Sequence, residues 1–227
     1  MFQPIRRFVM LSLVVALSAT SARADDYKLE TLDSPPDDLP AAIAEAVSGK
    51  GFRVEGPRRT HVDVWLAKSI AIRPEFSPTL SVKYPFTPGQ LIGVMEVPRR
   101  SDLTDFRGQE MERGVYTLRY AQQPVDGNHI GTSELADFLV AIPADKEESA
   151  EPITEIMKLN ELSAEASGTT HPAIFSLLPT SEADGKPALT HMEEQEFWTL
   201  QVQADGKKGE ESVKLPLRLV VVGYTEA

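Results

Sequence analysis

Four histidines, His61, His129, His171 and His191, are the residues of this 227-residue chain best suited to chemistry, because a neutral imidazole ligates metals and exchanges protons near neutral pH. No two of them stand four residues apart, as a zinc-binding helix requires. The chain also has no cysteine, so any metal centre has to be assembled from separate loops. His129 follows the turn-forming Asp126-Gly127-Asn128 and His171 precedes Pro172, which places both in loops. If those loops meet at one end of a β-sandwich, Asp126, His129, His171 and His191 make a mixed nitrogen and oxygen site for a divalent metal. The competing reading is that the loop histidines hydrogen-bond to backbone and shape their own turns.

Other chemistry is less well supplied. Asp126-Gly127-Asn128 with Glu134 offers oxygens to calcium but lacks the alternating acids and the closing bidentate glutamate of a calcium loop. Neither a nucleophile elbow nor a Ser-x-x-Lys pair is set in a suitable context, and Ser163 and Ser167 have no placed base. Glu193, Glu194 and Glu196 beside Phe197 and Trp198 resemble paired carboxylates for glycoside cleavage, yet a solvated turn before a strand accounts for the same residues. Trp65 and Trp198 are able to stack on a sugar, but each lies in a strand pattern where a large aromatic fills the core. No catalytic residue is assigned.

These side chains need a scaffold, and the spacing of apolar residues predicts a β one. Leu39, Ile43 and Val47, with Pro40 in the first turn and Gly49-Lys50-Gly51 as a stop, predict one short helix. From Phe52 the period becomes two: Phe52 with Val54, Val62 with Val64, Leu80 with Val82 and Tyr84, and Leu91 with Met95 read as strands parted by proline. Tyr116, Leu118 and Tyr120 share a buried face, leaving Thr117 and Arg119 on the other; Phe138 to Ile142 follows as a buried strand. Glu147 to Glu151 reads as an acidic surface link. A second helix is predicted from Pro152 to about Asn160, with Ile153, Ile156 and Met157 on its stripe. Two hairpins close the chain: 173–178 with 188–192 across Asp184-Gly185, and 196–203 with 213–222 across Asp205-Gly206. Pro216 puts the last strand at a sheet edge or at a bulge.

The first 24 residues give the address. Arg6 and Arg7, an apolar run from Phe8 to Leu17 and the small-x-small triplet Ala22-Arg23-Ala24 have the form of an export signal. The run falls short of the ~20 apolar residues of a membrane span, so no membrane insertion is expected once it is removed. Cleavage takes Lys+Arg from 23 to 20 against 34 Asp+Glu, a mature net charge of about −14. That surplus argues against nucleic acid as a partner, since phosphate binding needs a basic stripe.

The segments Gly114-Val115-Tyr116-Thr117-Leu118-Arg119-Tyr120, Pro124 to Thr132, and Ser167-Gly168-Thr169-Thr170-His171-Pro172-Ala173 resemble a family of exported bacterial proteins with no assigned activity. The resemblance extends over most of the mature chain and implies an exported location and no role.

The expectation is therefore a signal peptide (1–24), an exposed leader (25–38) and a single all-β domain (39–227), a sandwich of about ten short strands with two short helices. The expected function is an exported, non-catalytic binding or accessory protein. Its small-molecule or protein ligand would contact Asp126, Asn128, His129 and His171 on loops over a rigid scaffold. The alternative is a metal-dependent enzyme using Asp126, His129, His171 and His191.

Overall fold

Alternation of apolar and polar residues drives this chain into strands. The computed structural model describes residues 27–123, 135–180 and 185–225. Its elements are β1 (Lys28–Leu32), α1 (Ala41–Ala46), β2 (Val47–Glu55), β3 (Thr60–Ala67), β4 (Ile70–Ala71), β5 (Leu91–Val97), β6 (Gly114–Gln122), β7 (Asp137–Pro143), α2 (Ile156–Ser167), β8 (Ala173–Ser176), β9 (Ala188–Met192), β10 (Phe197–Lys208) and β11 (Glu211–Val222). The strands form two sheets. One runs β1-β2-β3-β5-β6-β7-β8 with every pair antiparallel, and the other runs β11-β10-β4 with β9 also paired to β10. The protein is all-β and sandwich-like, as its sequence predicts.

The sheets face each other through one apolar layer. Val54, Val64, Ile92, Leu118 and Leu139 of the larger sheet pack against Leu200, Val202, Leu217 and Leu219 of the smaller one. Only about 10 Å³ remains open between them, room for one water at most. Among the described residues, the space between the sheets is a packed core. At one side the sheets join, where Leu177 bridges Leu219 and the Leu178 amide donates to the Arg218 carbonyl.

The outer face of the seven-stranded sheet is covered as well, which the period-two reading did not anticipate. Ile43 of α1 packs with Trp65, Leu91 and Val94, and Leu159 of α2 packs with Val140 and Ile142. A strand covered on both sides buries its polar positions too. Thr117 and Arg119, expected to face solvent, are each 0% exposed.

Several boundaries differ from the expectation for local physical reasons. Part of the leader is structural: Lys28–Leu32 pairs with β2 along its whole length, and the Trp65 indole donates to the Ser34 carbonyl. The glycines at 49 and 51 lie inside β2, whose register shifts there, because Gly51 is where the Trp65 ring sits against the backbone. Leu80 is exposed in an irregular segment and is in no strand. The second helix starts at Ile156, four residues after Pro152. It buries Leu159, Ser163 and Ala166 and leaves Ile156 and Met157 exposed. The first predicted hairpin does not form. β8 pairs with β7, and β9 instead pairs with β10 through the exposed turn Glu193 to Glu196. The second hairpin forms with its turn at Gly209, three residues beyond Gly206, and β11 with Pro216 is an edge strand.

Candidate functional site

Arg119 lies in the middle of β6 with its side chain toward the covered outer face. A buried guanidinium needs an acceptor for each of its five N–H groups. Those acceptors come from the segment that leaves β7. Glu147, buried just after the 3₁₀ turn Ala144–Lys146, receives Nε (2.9 Å to either carboxylate oxygen) and Nη2 (2.5 Å). Nη1 donates to the carbonyls of Gly89 and Glu151, and Nη2 also donates to that of Ser149. The Thr117 hydroxyl donates to Glu147 Oε1 at 2.6 Å. One arginine thus binds residues 147–151 down onto the sheet, and all five donors are in use. Glu147, predicted to be surface, is 5% exposed.

Gly89 fixes the other wall of this arrangement. Its φ is +81°, and a Cβ placed there would lie 1.9 Å from the Ile153 carbonyl oxygen, so only glycine permits the approach. Across this contact the Ile153 amide donates to the Gly89 carbonyl.

Above the clamped segment opens a cleft of about 490 Å³, bounded by residues 145–155 on one side and by Lys158 and Leu162 of α2 on the other. Its floor is the Arg119–Glu147 pair, and its walls are part apolar (Pro152, Ile153, Leu162) and part charged. The volume falls within the ~300–1,000 Å³ of small-molecule sites.

The described histidines, His61, His171 and His191, do not line this cleft. His171 is exposed beyond the C-terminal end of α2, which stops at Gly168 in the left-handed conformation. Ser167 Oγ donates to its carbonyl at 2.6 Å, and Thr170 Oγ1 lies 3.2 Å from its Nδ1. The last turn and a half of α2, from Leu162 to Ser167 and roughly 8 Å at 1.5 Å per residue, separates it from the cleft. His191 on β9 stacks on Trp198, its cross-strand partner, with ring centroids 4.7 Å apart. Trp65 is buried and Trp198 is half-buried against the core.

Asp126, Asn128 and His129 lie outside the described residues. The ends flanking that segment, Gln123 and Ala136, meet at the Asp137 end of β7. His171 precedes Ala173, which pairs with Ala141 further along the strand. Among the described residues no three histidine, aspartate or glutamate side chains come together as a metal site.

His61 is 3% exposed and ties the two sheets together. Nε2 lies 3.0 Å from the Val221 carbonyl oxygen of β11, and Nδ1 lies 3.0 Å from Asp102 Oδ1. Burial pushes its pKa below the ordinary histidine value, outweighing the opposing pull of Asp102 and the Val221 carbonyl. Asp137 is likewise buried; it accepts the Tyr120 hydroxyl and the Lys83 amide, and burial raises its pKa. It pins the irregular segment before β5 to the sheet.

Sequence reasoning missed Arg119, Glu147 and Gly89. The available signal was an arginine at the centre of a strand combined with two amphipathic helices. Those helices have to cover a sheet face somewhere. No protein-family model, curated protein or solved structure matches this chain.

Proposed function

We propose that the protein is an exported, non-catalytic binding or accessory protein, and that its ligand occupies the cleft between residues 145–155 and α2. The supporting observation is the cleft itself: a recess of about 490 Å³ on a floor held by a saturated arginine clamp, in a protein whose sandwich interior is filled. A rigid floor lowers the ordering cost of binding. The clamp supplies no free donor and no nucleophile, which suits holding a ligand better than transforming one.

Thermal-shift screening of the mature protein against amino acids, sugars, nucleotides and short peptides tests this reading, with Thr154→Trp as a variant that fills the cleft from an exposed lining position. A compound should raise the melting temperature of the natural chain and have no effect on the variant, and mass spectrometry should recover it unchanged. A shift that survives in Thr154→Trp moves the site elsewhere, and turnover of the compound would make the protein an enzyme.

A further inference from the structure

We propose that the ligand of this cleft carries a positive charge on an aliphatic stem, the chemistry of a lysine or arginine side chain; the inference rests on the cleft being the binding site. Three of the ionised groups around it are already neutralised. Glu147 is taken by Arg119, and Lys146 pairs with Glu165 at 3.0 Å. Asp145, Glu148, Glu151 and Glu155 remain, all exposed and without an ion-pair partner among the described residues, against Lys158 alone. Glu155 is the N-cap of α2 and is set against the positive end of that helix. Even with Glu155 discounted, the cleft keeps a negative surplus.

Carboxylates lining one cleft add their pull on whatever enters it over the screening distance, about 8 Å at physiological salt. An anion would meet uncompensated repulsion, and a neutral ligand would gain nothing from them. Pro152, Ile153 and Leu162 give an alkyl stem an apolar surface to lie on while its charged head stays among the carboxylates.

The probe is a dye-labelled pentapeptide of alternating alanine and lysine, with an alanine and glutamate counterpart as control, read by fluorescence anisotropy. The lysine peptide should bind and the glutamate peptide should not. Joint replacement Glu148→Lys and Glu151→Lys should weaken binding at least tenfold. Glu210→Lys with Glu211→Lys, the same charge change at the exposed β10–β11 turn, should alter it less than twofold. Equal weakening by both pairs would reduce the effect to overall protein charge and overturn the inference, as would equal binding of the two peptides. Displacement by free arginine would indicate a small-molecule source for the cation, and lack of displacement a protein segment; both keep the cation. If the lysine peptide fails while a screened compound binds and is lost in Thr154→Trp, the charge assignment falls and the cleft stands. If nothing binds, both fall.

Discussion

Arg119 and Glu147 show how much one residue pair determines here. Both are buried, and each satisfies the other while the guanidinium holds three carbonyls. Removing one partner of such a pair leaves a buried charge uncompensated, at a cost of about 3–5 kcal/mol. We expect Glu147→Ala to lower unfolding stability by that order in urea titration at pH 7; a loss under ~1 kcal/mol would mean that water replaces the carboxylate and the clamp is not structural. His61 makes a prediction about pH. Because its folded pKa is lowered, the unfolded chain binds the extra proton first as pH drops below the ordinary value of 6.5. Stability therefore falls with pH through the window beneath 6.5, where the unfolded state holds more protons. Comparing denaturation midpoints between pH 8 and pH 5.5, the natural chain should lose stability relative to His61→Gln; parallel profiles would show that the ring titrates as if exposed.

At the scale of elements, helices and loops turn a two-faced strand pattern into a sheet buried on both sides. α1 and α2 are short, and isolated helices of that length are marginal in water, so their stability comes from the sheet they cover. The link between β7 and α2 has no regular structure beyond one 3₁₀ turn and is shaped by Gly89 and Arg119. Gly89→Ala forces a side chain into a positive φ and against the Ile153 carbonyl. Backbone strain alone costs about 1–3 kcal/mol. We expect a clear drop in melting temperature together with loss of cleft binding, and an unchanged melting temperature would show that residues 152–155 can move aside. Strand identity was legible in β2, β3, β5, β6 and β7, but burial runs continuously through the middle of β3, β5, β6 and β7 and does not alternate, because both faces of their sheet are covered. Pairing was not. Asp184-Gly185 looked like a hairpin turn, yet β8 finds a better partner in β7 because Phe175 and Ala173 complete the core beside Leu139 and Ala141.

At the scale of the whole molecule, the described residues make two sheets around a packed inter-sheet core, with a polar cleft on the outer side, and the chain has no cysteine for a disulfide and a strongly negative net charge. The export reading makes a direct prediction. N-terminal sequencing of protein from expressing cells should begin at Asp25, in the fraction outside the cytoplasm; an intact Met1 in the cytoplasmic fraction would remove the signal assignment. The sequence by itself determined the β class, the strand-forming segments of the sheet centre, the core tryptophan at position 65 and the acidic balance, but neither β1 nor β4, and it put a strand at Leu80 to Tyr84 where there is none. What it determined follows from local alternation and composition, which need no knowledge of neighbours. Only the tertiary structure decided that Arg119 is buried, that Glu147 leaves the surface to meet it, and that residues 145–155 stand over the sheet as the wall of a cleft. A salt bridge between residues 28 apart in sequence has no local signature. It exists because the link after β7 folds back over the sheet and withdraws Arg119 from water, and a buried charge must then find its partner.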